Sequence, residues 1–431
     1  MKRSQREAAA RGSTHLSRLS LPAVRSNGSF EGSDILAEAG AVPAILLCQV
    51  YRGVMAWALT PAAEHAGLFP PGAAAETRRL MREAPLPEEL RPALETVCGL
   101  FDDPAGTDPR VVAEACVRIG EWAERKGDAP ATALCFAQVA ASCMPNDAPM
   151  AYRAGYTARR QATWDLAELW FRHSSTVSRR TRDWRSHATS YLALGNNFYY
   201  QGRYAQARRE HLKALRVSKR HGLRELQAKA YHDLLAIAVV TNDAESADAL
   251  AQRAFRAYGP HHENVPTLAH DIALFWHAAG QYARALRVFQ ALLPHFSQPE
   301  RRLMLLGSIG REAGECGARE TFAEVWQEVW HLAPTLQGVS GLSPTMVQLA
   351  QGALRLEEWT FAERAARYAL QVAKSRGEAD AVAAAEELLD MIESRSVVAT
   401  TPWTPYSGNR GDAEFLADEL VSTLESAAAN L

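Results

Sequence analysis

Two local clusters of residues in this sequence could do chemistry, and neither has the spacing of a catalytic or metal site. His261, His262 and Glu263 lie in "GPHHEN", but adjacent histidines point in different directions, whereas metal sites on one element use spacings such as HExxH. Cys316 lies in "EAGECGARE", where no neighbouring base would activate its thiol. The patterns GxGxxG, GxxxxGK[ST] and GxSxG do not occur. The sequence therefore predicts a protein that is not an enzyme, with no cofactor and no metal.

Composition indicates an ordinary globular chain that is too long for one core. Its 431 residues are 47% hydrophobic and 22% charged, so it forms either several domains or a repeat array. The six cysteines are scattered among small apolar residues with no CxxC, a usage typical of buried thiols in a reducing compartment. We therefore expect a cytoplasmic protein.

The most apolar stretch, Ala41 to Leu59, is almost long enough to span a membrane. Pro43, Gln49 and Arg52 interrupt it, which favours a buried helix over a membrane span. The N-terminal stretch is rich in Arg and Ser and has no continuous apolar core, so it does not look like a secretory signal. No membrane partner is expected.

A pattern of small residues recurs along the chain and predicts paired helices. In "LGNNFYYQGRYAQARREHLKAL", Gly202 and Ala207 follow Gly195 by seven and twelve residues, and similar residues follow reference positions, or marks, at 120, 155, 235, 273, 307 and 350. The successive intervals between the seven marks are 35, 40, 40, 38, 34 and 43 residues, which is a repeat period. Small residues at the mark and twelve residues later would let two antiparallel helices approach closely. A Gly or Asn seven residues after the mark would end the first helix in a left-handed conformation. These residues are Gly127, Gly202, Asn242, Gly280 and Gly314.

This spacing resembles the tetratricopeptide repeat (TPR) family over residues 111 to 376. The resemblance implies an all-α, right-handed α-solenoid of TPR-like helical hairpins, with longer repeats than usual, as in the TPR arrays of bacterial peptide-sensing regulators. No helix-turn-helix signature precedes the array. The expected parts are a disordered tail (1–33), an N-terminal helical cap (34–110), a solenoid of about seven hairpins (111–395), a linker (396–411) and an acidic amphipathic C-terminal helix (412–431).

The resemblance also implies where a partner would bind. The first helix of each TPR hairpin lines the concave face, through residues three before, one after and four or five after the mark. These positions carry many polar, aromatic and basic side chains. This composition favours a binding groove over a concave surface that is merely solvated. The candidates at these positions are Tyr152, Arg159, Arg160, Asn196, Tyr199, Tyr200, His232, His270, His277 and Arg311, and Lys229 is added one turn before His232.

The best-known TPR device, a two-carboxylate clamp for acidic C-terminal peptides, is only partly present. Asn196 matches its asparagine, but Leu192 stands where the clamp needs Lys, and Asp233 where it needs Asn. Recognition of chaperone tails is therefore not expected.

Charge is distributed unevenly. Residues 151–224 contain sixteen Arg and Lys against four Asp and Glu, and residues 371–431 contain four against eleven. Solvated outer faces explain a basic run most simply, and an acidic partner is the alternative. We therefore favour a scaffold or adaptor that binds a protein or peptide partner through its concave groove. A regulatory role and an acidic partner are both compatible with this hypothesis. The alternatives are a nucleic-acid-binding repeat that uses residues 151–224 and a ligand- or peptide-sensing regulator. Homo-oligomerisation is compatible with each of them.

The C-terminal helix has two predicted locations. Leu416, Leu420 and Leu424 share one face of this acidic segment, and an exposed leucine face needs a cover. Either the helix docks on the basic hairpins between residues 151 and 224, in its own chain or a neighbour's, or it caps the last hairpin near residues 386–392. Capping is the favoured interpretation.

Overall fold

The computed structural model describes residues 33–38, 41–125, 129–336, 341–396 and 410–429, and within these ranges the regular structure is helical. The predicted tail, apart from its last residue, and nearly all of the predicted linker lie outside the described residues. The chain divides into two compact units, Met1–Leu226 and Gln227–Leu431. Each unit is described by itself below.

The N-terminal unit begins with four helices of different lengths and continues with helices in pairs. Its helices are α1 (Ser33–Glu38), α2 (Ala41–Leu59), α3 (Ala73–Glu83), α4 (Arg91–Asp102), α5 (Pro109–Arg125), α6 (Pro130–Cys143), α7 (Ala148–Arg160), α8 (Trp164–Thr181), α9 (Trp184–Tyr199) and α10 (Tyr204–Arg220). Two 3-10 turns, Ala62–Gly67 and Glu88–Leu90, precede α3 and α4.

Helix α11 (Arg224–Val240) contains the boundary between the units. The C-terminal unit continues with α12 (Ala244–Tyr258), α13 (Val265–Ala278), α14 (Tyr282–Leu292), α15 (Pro299–Glu315), α16 (Arg319–Leu332), α17 (Leu342–Arg355), α18 (Trp359–Arg376), α19 (Ala379–Glu393) and α20 (Arg410–Ala428). Two 3-10 turns, Leu293–His295 and Ala333–Leu336, follow α14 and α16.

The four N-terminal helices share a core with the first hairpin. Leu46, Leu47 and Val50 of α2 are completely buried in it, as expected for a buried helix. The Glu38 carboxylate accepts hydrogen bonds from the backbone N–H groups of Ala131 and Thr132, each at 2.7 Å. It therefore satisfies the exposed N–H groups at the start of α6, a role that a local capping residue usually has. None of the described helices combines the length and the apolar character that crossing a membrane requires.

From α5 onward the helices alternate as first and second members of hairpins. The pairs begin at α5, α7, α9, α11, α13, α15 and α17, and the seven marks lie within these first helices. The predicted all-α fold class of TPR-like hairpins is confirmed. The exact limits of the predicted cap, solenoid and linker stay predictions.

The turns inside the hairpins confirm most of the predicted left-handed positions and correct one. Gly202, Asn242 and Gly280 have φ angles of 71°, 58° and 71°. The prediction for Gly314 is wrong, because this residue lies inside α15 and the left-handed residue is Gly317, with φ of 70°. The mark of this repeat is therefore Gly310 rather than Gly307. Gly127 lies outside the described residues.

Glycines let the backbones of helices from consecutive repeats touch. A Cβ atom on Gly314 would lie 2.3 Å from the carbonyl oxygen of Gly352, and one on Gly352 would lie 2.2 Å from the carbonyl oxygen of Gly310. Helices α15 and α17 therefore meet backbone to backbone. In the N-terminal unit the neighbour is a ring instead, because a Cβ on Gly195 would lie 2.4 Å from the His211 imidazole.

The C-terminal helix packs inside its own unit. Leu416, Leu420 and Leu424 of α20 are at most 2% exposed, and α20 lies against α14. Its carboxylates pair with Arg284 and Arg287. Both locations predicted within the chain are therefore wrong: α14 supplies the cations and the apolar surface, not residues 386–392, which were favoured, or the arginines between residues 151 and 224.

Gly314→Ala should lower the free energy of unfolding by about 1 to 3 kcal/mol, because the new methyl group forces two helix backbones apart. Gly99→Ala is the control: Gly99 is an exposed glycine in α4 with open space around its Cβ position, so this change should stabilise by about 0.5 to 1 kcal/mol. Urea unfolding of both variants measures the difference. Equal effects of the two substitutions would contradict the close backbone contact.

Candidate partner-binding surface

The first helices of the N-terminal unit present aromatic rings and guanidinium groups together. Helix α7 begins after Asp147, whose carboxylate accepts a hydrogen bond from the Met150 N–H at 2.9 Å. Tyr152, Tyr156 and Arg159 follow at intervals of four and three residues, which places them on one face of this helix. The rings of Tyr152 and Tyr156 are stacked with centroids 6.4 Å apart.

Arg159 connects this face to the next first helix. Its guanidinium carbon lies 5.2 Å from the ring centroid of Tyr156 and 5.6 Å from that of Tyr200, just after α9. Tyr199 and Tyr200 contact each other at 5.8 Å. Tyr156 is 38% exposed and Tyr200 64% exposed. Five residues thus form one surface, called here the tyrosine–arginine surface: Tyr152, Tyr156, Arg159, Tyr199 and Tyr200.

A cleft of about 430 Å³ lies beside this surface, between α5 and α7. Tyr152 lines it, together with two ion pairs that link the helices. The Arg153 guanidinium lies 2.6 Å from the Glu121 carboxylate, and that of Arg160 lies 2.6 Å from the Glu124 carboxylate. Arg160 is therefore in the predicted region, but its charge is already matched by an acidic neighbour.

Asn196 lies on α9 of the same unit and is half-buried. Leu192, one turn before it, is buried, so the apolar residue at the lysine position of the clamp belongs to the core. The next residue, Asn197, is fully buried and donates a hydrogen bond from its side-chain amide to the Trp164 carbonyl at 3.1 Å. This part of α9 therefore stabilises the hairpin.

In the C-terminal unit, predicted histidines pair with a carboxylate. Nε2 of His232 lies 2.8 Å from one Asp271 oxygen, and Nδ1 of His270 lies 3.2 Å from the other. Burial alone would raise the pKa of Asp271, but hydrogen bonds from the two imidazoles outweigh it and lower the pKa to about 2. Lys229 lies one turn before His232 and is half-buried.

His277 and Arg311 both lie against one buried carboxylate. Nδ1 of His277 lies 2.7 Å from the Glu312 carboxylate, and Nε of Arg311 lies 3.2 Å from it. Glu312 is completely buried, and the Arg311 side chain is 16% exposed. A buried charge requires a partner, so the primary role of Arg311 and His277 is to pair with the Glu312 carboxylate. Arg159 and the predicted tyrosines thus form an open group in the N-terminal unit, whereas carboxylates bind Arg160 in that unit and His232, His270, His277 and Arg311 in the C-terminal unit.

Several residues of these sites were missed, although the repeat spacing identifies them. Tyr156 and Glu121 each follow a mark by one residue, and Glu124 follows a mark by four. Asp271 comes 39 residues after His232, one repeat further on. The rule used to select groove positions therefore points to most of these partners, provided that acidic residues are included.

Most of the basic stretch lies on second helices. Exposed basic residues of α8 are Arg172, Arg179 and Arg180, and those of α10 are Arg208, Arg209, Arg216, Lys219 and Arg220. The basic charge of residues 151–224 is therefore concentrated on a different set of helices from the tyrosine–arginine surface.

The "GPHHEN" loop has local contacts of its own. Nδ1 of His262 accepts a hydrogen bond from the Asn264 N–H at 3.1 Å, and its ring lies 4.6 Å from that of Tyr258. These contacts orient His262 within its own turn.

Asp271→Asn should lower the free energy of unfolding at neutral pH by about 1 kcal/mol, because the pair is half-exposed and solvent weakens it. Since the pKa of Asp271 is lowered from 3.8 to about 2, its carboxylate stabilises the fold above its ordinary pKa and loses that effect as the pH falls through these two values. The difference between wild type and variant should therefore shrink on acidification. Urea unfolding across this range measures it, with the exposed Glu419→Gln as control. A difference that does not vary with pH would contradict the assignment.

Neither a protein-family model nor a curated protein matches the chain. Among solved structures, a signal transduction ATPase with numerous domains and a tetratricopeptide repeat sensor, from Pyrococcus horikoshii, is 11% identical, with 93% of this chain and 64% of that chain covered and a TM-score of 0.50.

Two further solved structures are similar at lower TM-scores. Aspartyl phosphate phosphatase F from Bacillus subtilis is 15% identical over 88% of this chain and 97% of its own, with a TM-score of 0.45. PilF of Pseudomonas aeruginosa is 18% identical over 57% of this chain and 96% of its own, with a TM-score of 0.41. The likeness to the Pyrococcus horikoshii protein concerns the fold alone, and by its fold this chain is a TPR-like helical repeat protein.

Proposed function

We propose that this chain is a non-catalytic TPR-type scaffold that binds a protein or peptide partner through the tyrosine–arginine surface of its N-terminal unit. One observation carries the proposal: the Arg159 guanidinium lies between the exposed rings of Tyr156 and Tyr200. Arg153 and Arg160 on the same helix are paired with carboxylates. Within the described ranges, Arg159 has no such acidic partner.

This arrangement has the composition of a binding hot spot. Tyrosine and arginine are enriched among the residues that dominate interface energies. Tyrosine buries a large area at a low entropic cost, since it has only two side-chain torsions. Because two rings hold the Arg159 guanidinium, less conformational freedom is lost when it binds an anion. The favourable binding free energy is gained when a carboxylate of the partner pairs with Arg159.

The same contacts define the chemistry of the partner. A guanidinium between aromatic faces binds a carboxylate through its N–H edge, while the ring faces pack against apolar or aromatic groups. The cleft beside Tyr152, of about 430 Å³, is within the size range of small-molecule and side-chain pockets. The expected ligand is a peptide segment with an acidic residue next to an aromatic or large apolar one.

Peptides selected from a random displayed library on the full chain should therefore be acidic and aromatic. The triple variant Tyr156→Ser, Arg159→Ser, Tyr200→Ser should bind the tightest selected peptide at least 30-fold more weakly, the loss expected for hot-spot residues worth about 2 kcal/mol or more. Isothermal titration calorimetry measures the affinity.

Two controls separate binding from folding. The melting temperature of the triple variant should stay close to that of the wild type, because Tyr156 and Tyr200 are exposed. Arg253→Ser with Arg256→Ser, two exposed arginines of α12, should leave the affinity for the same peptide unchanged. Undiminished binding by the triple variant would refute the proposed site.

A further inference from the structure

Helix α14 shows how a second helix of this array holds an acidic amphipathic helix. Nε of Arg284 and Nη1 of Arg287 each lie 2.7 Å from the Glu414 carboxylate of α20, and Arg287 also pairs with Asp418. The buried leucines of α20 occupy the apolar part of the interface. The carbonyl oxygen of Leu424 lies 2.9 Å from Nε2 of His295. Cations and apolar surface thus act together on one helix face.

Helix α10 carries a comparable face at the same position in its repeat. Arg287 comes fourteen residues after the mark at 273, and Arg209 comes fourteen residues after the mark at 195. Arg287 and Gln290 of α14 and Pro294 of the following 3-10 turn line a cleft between α14 and α20. Their counterparts in α10, counted from the mark, are Arg209, Leu212 and Arg216.

In α10 this face is open. Arg209 and Arg216 are exposed, and Leu212 is 40% exposed. The three residues follow each other at intervals of three and four, so they form one stripe along the helix. The stripe has the two components that α14 uses, guanidinium groups and an apolar side chain, without a described element on top of it.

The charges of this stripe do not help α10 to fold. Arg209 has Lys213 four residues later, and Arg216 has Arg220 four residues later. Like charges at this spacing destabilise a helix by a few tenths of a kcal/mol per pair. The acidic residue of the helix, Glu210, is buried and paired with Lys213. Residues that are locally unfavourable for folding suggest a functional requirement.

The exposed leucine distinguishes between two anionic partners. A nucleic-acid backbone would contact the arginines and gain little from Leu212. An acidic amphipathic helix gains from both, as α20 does on α14. On the neighbouring second helix α8, Leu169 is also exposed, at 41%, one turn before Arg172. The mixture of leucine and arginine therefore favours a protein helix.

We propose that the exposed face of α10 formed by Arg209, Leu212 and Arg216 binds an acidic amphipathic helix of a partner protein. The partner carries apolar side chains three or four residues apart on one face and carboxylates beside them. Its apolar stripe covers Leu212, and its carboxylates pair with the two arginines. This face does not include the tyrosine–arginine surface, so each proposal can fail without the other.

A fluorescent peptide with the sequence of residues 410–429 is the probe, because α20 is a helix of this chemistry, and the full chain is the binding protein. Anisotropy should show saturable binding to the wild type. Arg209→Glu with Arg216→Glu should weaken it at least tenfold. The melting temperature should not fall, since the substitutions remove like-charge pairs from α10.

Three comparisons make the outcome decisive. The same peptide with Leu416, Leu420 and Leu424 replaced by Ser should not bind, and equal binding would reduce the interaction to nonspecific charge attraction and overturn the proposal. Arg287→Glu should leave binding of the probe intact, whereas loss in this variant alone would mean exchange onto α14. The triple variant of the tyrosine–arginine surface should bind the probe normally.

A single-stranded oligonucleotide of twenty nucleotides tests nucleic acid as the alternative anionic partner of this face. It should bind more weakly than the peptide. Tighter binding that Arg209→Glu with Arg216→Glu abolishes would assign the face to nucleic acid instead. Absence of any peptide binding to the wild type would also refute the proposed helix site.

Discussion

The structure depends on the close approach of helix backbones at positions without a large side chain. At Gly314 and Gly352 the backbones of two helices meet directly, and at Gly195 an imidazole ring from the second helix takes the space of a Cβ atom. Attraction between packed atoms falls off steeply with their separation, so each such contact determines the register of the two helices that it joins. Where such a contact joins consecutive first helices, as between α15 and α17, it also determines which of their residues lie side by side.

The register of consecutive first helices determines which charged side chains form ion pairs. Residues one repeat apart meet, as in the pairs Arg160 with Glu124 and His232 with Asp271. Opposite charges at equivalent positions therefore neutralise each other along the first helices. Arg159 is different, since its neighbour one repeat later is a tyrosine ring instead of a carboxylate. A cation held by aromatic rings is an available binding group, whereas a cation in an ion pair must first lose its partner.

The second helices show that charge alone does not place a helix. The basic stretch 151–224 has the larger excess of positive charge, yet α20 lies on α14, where Arg284 and Arg287 are combined with an apolar surface. Attraction between exposed charges is screened within about 10 Å at ordinary salt. Burial of leucine side chains is worth about 1.5 to 3 kcal/mol each. Apolar fit therefore selects the location, and the arginines orient the helix on it.

The sequence by itself determined the repeat, the helical class and most of the turn residues, because small residues and left-handed turns are local requirements that recur at a fixed interval. It also led to four residues of the tyrosine–arginine surface, and the same spacing rule contains the fifth, Tyr156. Only the tertiary structure decided which basic groups are already paired. Arg159 and Arg311 look alike in sequence, but one lies against rings and the other against the buried Glu312. For Arg159 the decisive neighbour is Tyr200, one repeat away, and for Arg311 it is the complete burial of the adjacent Glu312. Both depend on how the helices pack, which is not a local property of the chain.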